Sequence, residues 1–296
     1  MGRGKGDLIL IFRMWKVCFK RGAENEKKDE ILGKIYDCID SGKTIIVFGA
    51  GNGLSAKAAH MAGVHLISVY STAILRMKGI NSLCSSLPVA NANQLLLEEG
   101  EVIVKQAEDT PCIAGIFAQD PFYSVDDMLD KIERMGFCGV SNEPFCGIYG
   151  SWYAELLEEY GMGFNAEIEM LEQASKRGLL TLGWAFTEEQ ACRLADIGTD
   201  MIGVMVMDGP SKCSSFLSEE EKLGDAVNQV KKICQAVLRK NSQAILLTHG
   251  DSFYDVPTVT ESLISTGAVG YVSGSSGEKI PAIEGIRQRC KGFLEI

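Results

Sequence analysis

Side chains able to do chemistry gather just after short apolar runs in this 296-residue chain. His249 is one of three histidines; it follows the run Ala244–Thr248 and precedes Gly250. An imidazole titrates near neutral pH, which suits acid–base work. His60 and His65 read instead as surface or packing residues. Asp120 follows Cys112–Phe117, and Glu143 follows Gly139–Ser141. Carboxylates at neighbouring strand ends offer oxygen ligands to one divalent ion, so Asp120 and Glu143 are the metal candidates. Plainer readings stand beside these. Asp120 before Pro121 starts a turn or caps the helix near Ser124, and Glu143 before Pro144 turns to solvent.

Two glycine-rich stretches could hold an anion. Ile45–Phe48 runs into Gly49-Ala50-Gly51-Asn52-Gly53, and Leu54, Ala58 and Met61 then recur at helical spacing. Strand, glycine loop and helix in that order leave backbone N–H groups free at a helix N-terminus. A dinucleotide site would need a third glycine where Leu54 stands, and a carboxylate where the second strand ends in Ser71-Thr72. No nicotinamide or flavin is therefore expected. Ser273-Gly274-Ser275-Ser276-Gly277, with Gly250, forms the second stretch, after the last strand. The candidate binding set is Gly51, Asn52, Ser71, Asn142, Gly250, Ser273, Gly274, Ser275 and Ser276. Arg76 supplies local positive charge and joins His249 and Glu143 as the catalytic candidates. Asp208 and Asp251 also end strands.

The elements that must position these residues alternate. Short apolar runs predict strands at Thr44–Phe48, Leu66–Tyr70, Cys112–Phe117, Gly139–Ser141, Leu180–Ala185, Met201–Met207, Ala244–Thr248 and Val269–Val272. Helical patterns follow each, with Ser71–Asn93 read as a long loop and Thr187-x-x-Gln190 as a capping box. An amphipathic helix over 29–41 precedes the first strand and would cover one end. The fold class is α/β, and eight alternations in a chain this long predict a (β/α)₈ TIM barrel with an N-terminal helical extension. Residues 26–296 read as a single barrel domain and residues 1–25 as a disordered extension. The active site of such a barrel lies at the C-terminal ends of its strands.

Composition narrows the function classes. Hydrophobic residues are 46% and charged residues 23%, ordinary for a globular protein. A net charge of −10 argues against nucleic acid as a partner. No apolar run is long enough to span a membrane. Ten cysteines without a Cys-x-x-Cys pair read as reduced thiols in a cytoplasmic protein. A homo-oligomer binding a small anionic substrate is expected.

Gly51-Asn52-Gly53-Leu54-Ser55-Ala56-Lys57, Tyr70-Ser71 with Arg76-Met77, Asp120-Pro121-Phe122 and Gly139-Val140-x-Asn142-x-Pro144 follow the order of a known family. So do Gly161-Met162-Gly163 with Glu167-x-Glu169-Met170, His249-Gly250, and Gly274-Ser275-Ser276-x-Glu278-x-Ile280-Pro281. The chain resembles the phosphoenolpyruvate hydrolase-like, or TIM-barrel signal transduction, family over about Asp29–Phe293. The resemblance implies a barrel related to the phosphoenolpyruvate mutase and isocitrate lyase superfamily. It implies a Mg²⁺-assisted hydrolase or lyase acting on a small phosphorylated or carboxylated 2-oxo acid. The loops after strands two, six and seven, and Glu143 itself, depart from the family pattern. Those departures keep a second expectation open, a non-catalytic barrel that binds a ligand and serves regulation.

Overall fold

The computed structural model describes residues 26–207 and 217–296. Eight strands pair in parallel, each with its successor: β1 (Ile45–Gly49), β2 (Leu66–Val69), β3 (Cys112–Gly115), β4 (Gly139–Ser141), β5 (Leu180–Ala185), β6 (Met201–Val206), β7 (Ile245–Gly250) and β8 (Gly270–Ser273). β8 returns to β1, with Ile45 opposite Gly270 and Phe48 opposite Ser273, and closes the barrel. The runs are apolar because a parallel barrel strand is covered on both faces.

Side chains alternate between two cores. Ile45, Val47, Leu66, Ile113, Leu180, Leu182, Trp184, Met205, Leu247 and Val272 fill the barrel interior. Helix α1 (Glu26–Asp40) adds Ile31 and Ile35 to that cluster, so it plugs the N-terminal end. Lys28 in α1 pairs with Asp200 at 2.7 Å, anchoring the plug to the start of β6. Ile67, Val69, Ala114, Val140, Ile202 and Val204 point outward under the helices.

The long loop expected over 71–93 is corrected. Ser71–Met77 forms helix α2 and Ser82–Ser86 a 3₁₀ turn. Ala73, Ile74, Leu75 and Arg76 are buried there, which stabilises a helix of under two turns by packing rather than by its own length. The capping box expected at Thr187 is half formed. Thr187 accepts Gln190 N–H at 3.2 Å, but the Gln190 side chain takes Phe186 N–H instead. β7 runs to Gly250, beyond the expected Thr248, so His249 is a strand residue. Lys279–Leu294, helix α3, buries none of its residues, and Ile280, Ile283, Ile286 and Phe293 stand exposed. The expectations for residues 1–25 and for Asp208 lie outside the described residues.

Candidate active site at the carboxyl ends of the strands

Strand periodicity decides which side chains enter the chamber above the inner core. Gly139 and Ser141 face inward in β4, so Glu143, two residues on, continues the inward series. Trp184 is the inward residue at the end of β5, and His249 follows Leu247 inward in β7. The ring edges of Trp184 and His249 meet with centroids 5.5 Å apart.

Glu143 is 5% exposed, and its Oε2 has no hydrogen-bond partner among the described residues. Burial pushes its pKa up to about 8, against the pull of the nearby Arg76 charge and the Trp184 indole. The indole N–H also lacks a regular hydrogen-bond partner among the described residues. Burial thus favours the protonated carboxyl of Glu143, whose Oε2 is without a partner among the described residues. Ser141 Oγ, Ser68 Oγ and Ser71 Oγ are likewise buried without partners among the described residues.

His249 Nδ1–H donates to Val272 carbonyl oxygen at 2.7 Å, which leaves Nε2 as the acceptor. Burial lowers the imidazole pKa. The neutral ring lies against Tyr271, centroids 6.4 Å apart. A Cβ on Gly274 would stand 3.0 Å from the His249 ring and 3.9 Å from Arg76 Nη1. Glycine at that position keeps the space between imidazole and guanidinium open.

Arg76 is 3% exposed and sits 5.9 Å from the Tyr70 ring. Its Nε and Nη2 donate to Glu278 Oε2 at 2.9 and 2.5 Å. Glu278 Oε1 accepts Gly51 N–H at 2.6 Å and the Ser55 hydroxyl at 2.7 Å. Gly51 is a glycine of necessity, because a Cβ there would lie 2.0 Å from Ala73 oxygen.

The structure brings Glu143, Arg76, His249 and Gly274 together. Other expected ligands are engaged elsewhere. Asn52 caps the helix Gly53–Ala62 by accepting Ser55 N–H at 2.9 Å. Asn142 faces outward, donating to Glu167 Oε2 at 2.5 Å and accepting Trp184 N–H at 2.7 Å. Ser276 Oγ pairs with the Tyr271 hydroxyl at 3.0 Å. Ser275 oxygen accepts Ile280 N–H, and Ser273 Oγ packs under Gly277. Gly250 brings its backbone against Val206, where a Cβ would stand 2.5 Å from the carbonyl oxygen.

Asp120 does not fit a metal seat shared with Glu143. Its Oδ2 accepts the side-chain amides of Asn91 and Asn93 at 2.9 and 3.0 Å, and its Oδ1 accepts Phe122 N–H at 2.8 Å. Those donors take three of the carboxylate's lone-pair positions. It does not cap the following helix either; Ser124 does, through Asp127 N–H. Among the described residues no group of three or more His, Cys, Asp and Glu is placed to share an ion.

Two carboxylates emerge as organisers that residue spacing alone had not assigned. Glu278 ties the loops after β1 and β2 to the turn after β8. Glu167, on the helix Phe164–Lys176, is 1% exposed and accepts Cys146 N–H at 2.6 Å. Burial raises its pKa, opposed by its bonds from Cys146, Asn142 and Gln119. Both lie in stretches that carried the family resemblance.

The phosphoenolpyruvate hydrolase-like family model matches residues 30–296. The chain belongs to that family. The ToMV susceptible protein tm-1(GCR26) of Solanum lycopersicum is 37% identical over 272 residues, covering 92% of this chain and 36% of the tomato protein. The ToMV resistance protein Tm-1(GCR237) of the same plant is 36% identical with the same coverage. This member of the family thus spans 36% of the length of those relatives. Among solved structures, 2,3-dimethylmalate lyase, a PEP mutase/isocitrate lyase superfamily member, superposes with a TM-score of 0.57 at 14% identity, over 90% of this chain and 88% of that one. Phosphonopyruvate hydrolase in complex with oxalate and Mg²⁺ gives 0.55 at 15% identity, over 88% and 87%. At such identities the likeness is one of fold.

Proposed function

We propose that this phosphoenolpyruvate hydrolase-like barrel is an enzyme of hydrolase or lyase type acting on a small phosphorylated or carboxylated 2-oxo acid. The observation that supports it most is Glu143, a buried carboxylic acid with a free oxygen beside Arg76 and Trp184. A raised acid and a lowered base in one chamber are what proton transfer in both directions requires. Arg76 Nη1 receives the substrate's acidic group, since Nε and Nη2 are held by Glu278. His249 Nε2 takes a proton from water as the water oxygen bonds to the substrate's phosphoryl or carbonyl group, and the bond from that group to the neighbouring carbon breaks, its electron pair leaving as an enolate. Glu143 returns one to the enolate that departs.

Turnover of phosphonopyruvate and oxaloacetate, with and without Mg²⁺, tests the reading. Glu143→Gln removes the proton donor and is expected to slow turnover about 100-fold or more. A second reading, a barrel that binds a ligand without turning it over, draws support from Glu278, which fills the β1 loop. Oxalate binding with no turnover of either acid would favour it.

The net charge of −10 supports a partner set without nucleic acid. No helix among the described residues is long and apolar enough to cross a membrane. A cytoplasmic homo-oligomer fits these features, and the exposed apolar side of α3 supports self-association, which sedimentation velocity would measure.

A further inference from the structure

The glycine loop after β1 already holds an anion, and the anion is part of the chain. The Glu278 side chain is fully buried in the Arg76 pair. Four donors meet its two oxygens: Gly51 N–H, the Ser55 hydroxyl, and Arg76 Nε–H and Nη2–H. A loop amide, a hydroxyl in the first turn of a helix and a guanidinium fork are the donors that recognise a carboxylate in a bound ligand.

Glu278 is not needed where it stands in its own helix. It precedes Lys279–Leu294 and makes no side-chain cap there. The helix at the cradle is also complete without it, because Asn52 caps Gly53–Ala62 in a full capping box. The carboxylate satisfies the cradle and nothing else.

We propose that Gly51, Ser55 and Arg76 form a carboxylate-binding cradle in which Glu278 is a built-in ligand, so that the cradle accepts a small free carboxylate once Glu278 is removed. The β1 loop is then closed to substrate. Glu278 is a positioning residue that fixes two of the three Arg76 nitrogens, and an incoming acidic group is confined to Nη1, on the side of His249 and Gly274.

The test compares thermal unfolding of the full chain in sodium formate and in sodium chloride at equal concentration. In Glu278→Ala, formate is expected to raise the midpoint by about 5 °C over chloride, by saturable binding to the folded state alone. The wild type and the double variant Arg76→Met/Glu278→Ala should show no such difference. Equal formate effects in all three proteins would overturn the proposal. If Glu278→Ala does not fold in either salt, Glu278→Gln serves with its Arg76→Met double. The cradle predicts that the double is more stable than Glu278→Gln alone, because the stranded guanidinium is gone. Simple addition of the two losses would overturn it.

Discussion

Arg76 and Glu278 stand 202 residues apart in sequence and share two hydrogen bonds in the closed barrel, at 2.9 and 2.5 Å. The pair spans the seam where β8 meets β1. A buried pair is held in place by the cost of stranding either charge, more than by its own net attraction. Arginine's planar fork matches one carboxylate oxygen with two donors, whereas lysine has a single nitrogen and no fork.

Arg76→Lys keeps the charge and loses the fork. A stability loss of about 2 kcal/mol is expected from urea unfolding, with an unchanged denaturant slope. A change within about 0.5 kcal/mol, the range of ordinary surface substitutions, would contradict the role given to the fork.

Glu143 makes stability depend on pH with a definite sign. Its folded pKa is raised to about 8 from an ordinary 4.5. The native state therefore holds a proton that the unfolded chain has released between those values. The contribution is fully present below 4.5 and is lost as pH rises through about 8, at roughly 1.4 kcal/mol per pH unit within the window. Glu143→Gln abolishes this dependence. Its stability relative to wild type should rise from pH 5 to pH 8 and level off above. Parallel pH curves for the two proteins would show that Glu143 is ionised in the fold.

The barrel was legible in the sequence because strands buried on both faces leave unbroken apolar runs. Leu180–Ala185 and Gly139–Ser141 form with the bounds that their runs predict. Helix Ser71–Met77 was not legible, since the stretch from Ser71 reads as a long loop and its burial depends on neighbouring units. Glu143 and His249 could be placed at the barrel's mouth because strand ends point there. What spacing could not show was which polar groups would satisfy each other. Gly51 has its N–H taken by Glu278, 227 residues away, and Asn142 reaches Glu167 across the gap between strand and helix. Such partners are chosen by barrel closure, which leaves no local trace in a single sequence.

If Glu143 is the proton donor and His249 the acceptor, activity requires the first protonated and the second neutral. Burial lowers the His249 pKa below its ordinary 6.5, and Glu143 titrates at about 8. kcat/KM is expected to follow a bell, falling at acid pH as His249 protonates and falling above about 8 as Glu143 ionises. Glu143→Gln should abolish the basic limb along with most of the rate. A basic limb unmoved in the residual activity of that variant would assign it to another group.

Asp120 is the sharpest test of what the carboxylates at the strand ends do. Its two oxygens receive three N–H donors, from Asn91, Asn93 and Phe122, so removing them strands three polar groups at once. Asp120→Ala is expected to lose about 2–4 kcal/mol in urea unfolding, the loop after β3 being released from the start of the helix Ala92–Gln106. Asp120→Asn retains an acceptor but turns one amide toward other amides, and should lose less. Neither loss should respond to Mg²⁺, because both carboxylate oxygens are already engaged by N–H donors. Calorimetric titration of the wild type with Mg²⁺ and Mn²⁺ checks the same point. Uptake of either ion by the wild type that Asp120→Asn loses, accompanied by a rise in its unfolding midpoint, would restore Asp120 as a metal ligand and overturn the structural role assigned to it.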